Sequence, residues 1–359
     1  VAFVADLVVL HLALTATNPG GTRIADRDVP GEAVQVLAVM LAIVYLALFA
    51  YRALVQGRGV KAFDVIQSAL VIAVGYGAGS RLAEHLGRGE ALLGLAALLT
   101  ALVGYGVAFT VVRQRHGRGR AFFYFATLAL LFLVLGSRQV VPAELQAWAW
   151  TALGVATAWL GGRFRRSTLR AHSAFYLMLA FAWTGVIAAA RDAFAGDPAD
   201  PWSTTGPSGL VAVAAAAGCY VLLLRSRDPA APVGRRIPRL LVGVMALTGL
   251  GWIAVLLATR AFAGNPPEAD PAVVAVIRTG ILACTTVALA RAARIPAYAE
   301  LGWLVYPLLV AGLGKLLLED LKVGDPLALT VSFALFGAAL ILAPRQLKKK
   351  SGQEARGDS

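Results

Sequence analysis

The chain has 359 residues, 58% of them hydrophobic and 15% charged, with a mean hydropathy of +0.71. A soluble domain is about 45–50% apolar and about 25% charged and still needs a polar skin, so this surplus excludes an ordinary water-soluble core and points to lipid. The formal net charge of +13 comes from 33 Lys+Arg against 20 Asp+Glu. These charges cluster between apolar runs without interleaved base-stacking aromatics, which excludes nucleic acid and leaves membrane lipids as the partner.

Apolar runs near the ~20 residues that span a bilayer fall at 1–16, 32–55, 63–84, 91–113, 121–137 and 145–160, then at 174–190, 208–224, 240–262, 271–290, 301–321 and 326–343. They lack the alternation of membrane-barrel strands, and helices are the other way to satisfy a backbone in lipid. The expected fold is therefore an all-α polytopic bundle of about twelve spans, built from repeated helical hairpins. A membrane domain is expected over residues 1–344, followed by a basic, disordered cytoplasmic tail over 345–359.

Val1 opens directly into an apolar stretch with no basic n-region and no small-residue cleavage site. No cleavable signal peptide is expected there, and a start without Met points to the C-terminal part of a longer chain. Pro142, Pro271 and Pro326 stand at or just before helix starts, where a missing N–H costs little. Asn18-Pro19-Gly20-Gly21 and Asn265-Pro266-Pro267 read as connectors.

Loop charge predicts orientation. Arg52, Arg58 and Lys61, then Arg113, Arg115, Arg118 and Arg120, then Arg163, Arg165, Arg166 and Arg170 fall on one side. The same side continues with Arg225, Arg227, Arg235, Arg236, Arg239, Arg291 and Arg294, and ends in Arg345, Lys348, Lys349 and Lys350. The alternate loops hold isolated cations (Arg81, Arg138, Arg191, Arg260, Lys322) and most of the acids, among them Asp192, Asp197, Asp200, Glu268, Asp270 and Asp325. By the positive-inside rule the arginine-rich loops and the C-terminus are cytoplasmic. The Ala-, Gly- and Arg-rich composition is that of a GC-rich bacterial genome, so a bacterial inner membrane is expected.

A short repeat is visible. Trp183 stands eight residues before Arg191, with Phe194-Ala195-Gly196-Asp197-Pro198 following; Trp252 stands eight before Arg260, with Phe262-Ala263-Gly264-Asn265-Pro266 following. Duplication of a helical hairpin accounts for this, and chance in an Ala-rich chain does so equally.

Ionisable groups inside the apolar runs are the first candidates for chemistry, because their burial needs a partner or a use. Arg278 lies about 10 Å into its run and Lys315 about 9 Å from the same face on the next, antiparallel one. One reading is an outward-facing pocket for an anionic small molecule or lipid headgroup, with Arg278 and Lys315 as its walls, Glu319 beside them, and Arg191 and Arg260 joining from neighbouring runs. The other is that both cations snorkel, or that Lys315 pairs with Glu319 within its helix. Glu319 and Asp320 are adjacent, so they are expected on different helix faces and make a poor acid/base dyad.

Asp6 and His11 share the first run and form a candidate proton relay, though five residues apart they leave a common face. His85, His116 and His172 read as loop residues with no metal-ligand spacing, and no cofactor motif occurs. Cys219 and Cys284 are expected as buried free thiols. Gly75 and Gly79 suit close helix packing. Pro307, flanked by Gly302, Gly312 and Gly314, is a candidate break in its helix. Trp202 and Tyr298 read as interface anchors.

The C-terminal stretch holds Leu301-Gly302-Trp303, Gly314-Lys315 and Leu318-Glu319-Asp320-Leu321 before a last apolar run closed by basic residues. It resembles the end of an uncharacterised bacterial family of many-pass membrane proteins, whose members often carry an N-terminal coiled coil. The resemblance implies a missing N-terminal portion and maps a lysine-then-acid pattern onto Lys315 and Asp320. It implies no activity. The leading expectation is a non-enzymatic protein that transports or binds an anionic or lipid-like molecule. A membrane scaffold engaging partners through its basic loops is the alternative, and a transferase acting on a lipid-linked substrate is a third.

Overall fold

The computed structural model describes residues 31–54, 56, 62–86, 89–112, 119–164, 166–225 and 236–357, together with the isolated residue 8. Asp6, His11 and His116 lie outside the described residues. Among the described residues every regular element is a helix. The chain divides into two compact units, Val1–Glu144 and Leu145–Ser359.

The first unit holds α1 (Gly31–Leu54), α2 (Ala62–Leu86), α3 (Glu90–Val107, extended by a wider π turn over Ala108–Val112) and α4 (Gly119–Val140). Helices α3 and α4 lie backbone to backbone along small residues. A Cβ on Gly94 would come within 2.7 Å of Val140 Cγ2, and one on Gly136 within 2.7 Å of the Gly94 carbonyl. Close approach of this kind is how helices associate where lipid removes the hydrophobic incentive. Polar groups are matched between helices: Tyr124 donates to Ser68 Oγ at 2.5 Å and Gln139 Nε2 to Ser80 Oγ at 3.0 Å.

The second unit contains α5 (Ala143–Arg163, which begins just before the boundary), α6 (Ser167–Trp183), α7 (Val186–Ala195), α8 (Pro207–Arg225), α9 (Ile237–Phe262), α10 (Pro271–Ala292), α11 (Gly302–Lys315) and α12 (Pro326–Gly357). A 3-10 turn, Pro296–Leu301, leads into α11; a π turn, Leu316–Asp320, and a last turn, Leu321–Val323, follow it. Asp-Pro starts two of the helices. The Asp270 carboxylate accepts from the Ala272 and Val273 amides at 2.9 and 3.4 Å, and that of Asp325 from the Ala328 amide at 2.7 Å. Each aspartate caps orphan amides, and each proline occupies the first helical position, where it gives up no bond.

Among the described residues seven helical segments are long and apolar enough to cross a membrane: Glu90–Thr110, Ala121–Val140, Pro207–Arg225, Ile237–Phe262, Pro271–Ala292, Pro296–Val323 and Pro326–Leu347. An eighth results if α6 and α7, bent by 69°, are one broken span. Between 28% and 50% of each of the seven windows is buried, so half or more of each faces outward, as lipid contact requires. About twelve spans is therefore corrected to seven or eight among the described residues. The expected runs from residue 32 onward fall on helices, interrupted at Thr184–Gly185 within 174–190; α1, α2 and α5 are not among the seven segments. The last helix continues to Gly357, across the expected start of a tail at residue 345.

Several local expectations are corrected. His172 is buried within α6 and His85 falls within α2, so neither is a loop residue. Cys219 is buried but Cys284 is exposed, because Cys219 on α8 faces Ser173 of α6 and Cys284 on α10 faces outward. Pro307 does not break α11, which runs through it. The break lies instead between Trp183 and Val186, where Gly185 takes φ +75° and the Thr184 hydroxyl folds back onto the Ala180 carbonyl at 2.8 Å. In the second copy of the Trp…Arg repeat the same place is Ala254, and α9 passes through it unbroken.

Candidate functional site

The ionisable groups of α10 and α11 meet where the helices pack antiparallel. Lys315 Nζ donates to the Ala275 carbonyl at 2.5 Å and to Thr279 Oγ1 at 2.7 Å, and pairs with Asp320 Oδ1. Thr279 Oγ1 donates to Asp320 Oδ2 at 3.0 Å. The π turn explains this partner choice. A π turn stacks residues five apart, so Lys315 lies over Asp320, whereas an α-helix would have placed it over Glu319. Glu319 is left to reach across to Arg278 Nη1 at 2.5 Å. The adjacent carboxylates thus both engage α10, which corrects their expected placement on different faces.

Arg278 is fully buried, yet four of its N–H bonds are directed. Besides Glu319, Nε donates to the Ala193 carbonyl at 2.7 Å, and Nη2 to those of Asp192 and Gly196 at 2.9 and 2.8 Å. These carbonyls close the C-terminus of α7, where a helix carries orphan acceptors and partial negative charge. Trp202 covers the guanidinium at 5.2 Å from its ring centroid, a cation–π contact. Trp202 is therefore a buried lid on Arg278 instead of an interface anchor. The loop bearing it is tied down by Asp192, which accepts from Ser203 N at 3.0 Å and Ser203 Oγ at 2.5 Å.

Arg278, Lys315 and Glu319 are thus gathered at one depth, together with Asp320 and Thr279. Arg191 is exposed and pairs with its neighbour Asp192 at 2.9 Å, and Arg260 is exposed on the last turn of α9; neither enters the hydrogen bonds around Arg278. Each cation of the cluster faces its own carboxylate, so the group as a whole is balanced.

A second buried pair lies at the opposite end of these helices. Arg239 Nη2 donates to Glu300 Oε2 at 2.5 Å, and Tyr220 OH donates to Glu300 Oε1 at 3.2 Å. The Tyr298 ring, half-buried, lies 6.4 Å from that of Tyr220. The sequence reading missed this pair. Its signal is that Glu300 is an acid set among the arginines of the basic side.

Between the two pairs lies a cavity of about 350 Å³. Helix α9 contributes Val244, Leu247, Thr248 and Gly251; α10 contributes Leu282 and Thr285; α11 contributes Leu304, Pro307, Leu308 and Ala311. Phe194 of α7 closes one end by packing over Gly251. Pro307 and Ala311 are exposed, so the cavity opens at the surface of α11. Thr248 and Thr285 bring hydroxyls to an otherwise apolar lining. Such a space, near the lower end of the ~300–1,000 Å³ typical of ligand sites, accepts hydrocarbon and offers little to a charged solute.

Among the described residues no group of three His, Cys, Asp or Glu side chains is placed to hold a metal ion. No family model, curated protein or solved structure matches the chain.

Proposed function

We propose that this is a multi-pass protein of a bacterial cytoplasmic membrane that binds, and in its working cycle transports, a lipid-like molecule whose apolar part occupies the cavity between α9, α10 and α11. The observation that carries this reading is the cavity itself: apolar, at the middle of three membrane-length helices, and open beside Pro307 and Ala311. An opening at a lipid-facing surface admits a chain directly from the bilayer. The arginine-rich ends of α8, α9 and α10 support a cytoplasmic placement of that side and of the C-terminus.

The buried pairs have a positioning role in this reading. Arg278 and Lys315 hold α7, α10 and α11 in register around the cavity, each neutralised by its own carboxylate. The test uses protein reconstituted in nanodiscs with a fatty-acyl chain carrying a diazirine. Irradiation is expected to label Leu282, Thr285 or Leu308, and Ala311→Trp, which fills the opening, to abolish labelling while leaving the thermal midpoint unchanged. Labelling spread evenly over the outer helix faces, and unaltered in Ala311→Trp, overturns the reading.

A further inference from the structure

The charges at the two ends of α8 to α12 determine which end of the cavity takes a polar head. At one end α8 stops at Arg225, α9 begins beside Arg236 with Arg239 in its first turn, and α10 carries Arg291 in its last turn, followed by Arg294. Arg294 Nε donates to the Gln346 carbonyl at 2.9 Å, which places the end of α10 beside Gln346 of α12. Glu300 is the acid that meets these arginines in the described hydrogen bonds, paired with Arg239. At the other end Asp197, Asp200, Glu268, Asp270 and Asp325 are exposed and outnumber the exposed cations Arg260 and Lys322, while Arg191, Arg278 and Lys315 are already paired. An anionic head is attracted to the first end and repelled from the second.

Arg239 also has unused donor capacity. Its side chain is 12% exposed, and its Nε is buried with no partner among the described residues. Arg278, in contrast, directs four N–H bonds to protein acceptors. Along the axis of α9 the cavity begins about 8 Å beyond Arg239, at Val244, and Leu304 is four residues past Glu300. From Arg239 to Gly251, where Phe194 closes the cavity, the path is about 18 Å at ~1.5 Å per residue. One leaflet contributes about 15 Å of hydrocarbon, half of a ~30 Å core. The cavity itself, from Val244 to Gly251, takes up about 10 Å of that path, so the hydrocarbon of one leaflet is long enough to fill it from a head held at the level of Arg239.

We infer that the occupant is an anionic lipid of the surrounding bilayer, its phosphate held at the Arg239 end and one chain lying in the cavity towards Phe194. This rests on the lipid-binding reading above and adds the chemistry of the head and the direction of the chain. The Glu300 carboxylate stays paired with Arg239 Nη2 and Tyr220, leaving Arg239 Nε for the phosphate.

The test photolabels wild-type protein in nanodiscs with phosphatidylglycerol or phosphatidylcholine of identical chains, with the diazirine near the glycerol or at the chain terminus. Phosphatidylglycerol is expected to label the cavity about fivefold more strongly, the fold-change equivalent to the ~1 kcal/mol one interfacial arginine contributes. Its head-proximal probe is expected at Val244 and Leu304, and its terminal probe at Phe194 and Leu282. In Arg239→Gln/Glu300→Gln, which keeps an amide pair in place of the ion pair, the preference is expected to vanish while chain labelling remains. Equal labelling by the two lipids, reversed probe positions, or a preference that survives in the double variant overturns this inference and leaves the cavity reading standing. No cavity labelling by either lipid overturns the lipid-binding reading itself.

Discussion

Replacing Arg278 by Met tests the buried clamp most severely. Methionine fills much of the volume but donates nothing. Breaking a buried ion pair by removing one partner costs about 3–5 kcal/mol; Glu319, 20% exposed, regains some water, so the lower figure applies to it. The Ala193 and Gly196 carbonyls lose the guanidinium at about 1–3 kcal/mol each, while the Asp192 carbonyl keeps the Gly196 amide at 2.9 Å. With the lower end taken for each term, the sum is about 5 kcal/mol. At about 2–4 °C per kcal/mol for a unit of this size, the thermal midpoint in detergent is expected to fall by about 10–20 °C. Arg278→Met/Glu319→Leu removes both charges and leaves the carbonyl cost, so it is expected to be more stable than Arg278→Met by about 2 kcal/mol. Unfolding followed by tryptophan fluorescence, to which Trp202 contributes from its position over the guanidinium, reads both effects. A midpoint for Arg278→Met within about 2 °C of wild type, or a double variant that falls as far as the two singles combined, refutes the reasoning.

Gly249→Ala would bring a Cβ to 2.4 Å from Val213 Cγ2, a buried valine with nowhere to move; a loss of about 1–3 kcal/mol is expected from thermal unfolding. At Gly185 nothing lies within 4 Å of an added Cβ, so Gly185→Ala is strained only by its φ of +75°. It is expected to cost about 1–2 kcal/mol, and Gly185→Asn, which tolerates this region better, to cost less. A membrane-permeant maleimide is expected to modify Cys284, which is exposed, and to spare Cys219, which is buried; mass spectrometry of the peptides decides between them.

Helix placement was legible because apolar length and Asp-Pro starts are local properties. The runs beginning at 208, 240, 271 and 326 start within three residues of α8, α9, α10 and α12. Rise per residue alone also put Arg278 and Lys315 at one depth. The partners were not legible, because reading Glu319 and Asp320 on an ideal α-helix separates them, and the π turn at Leu316–Asp320 is a departure no periodicity announces. The broken span was hidden for a related reason: Gly185 sits in an Ala-rich stretch that reads as continuous helix, whereas Pro307 drew attention in a helix that absorbs it. In α5 the apolar run was counted without weighing Gln146, Thr151 and Thr157, which dilute it. Trp202 and the cavity depend on tertiary packing, which no single segment encodes.

The account stands on hydrocarbon filling the space between α9, α10 and α11. A density map of the protein in lipid nanodiscs is expected to contain one elongated feature running from beside Arg239 past Val244 and Thr285 to Phe194. Ordered water in that space, or helices closed tightly over it, contradicts the account.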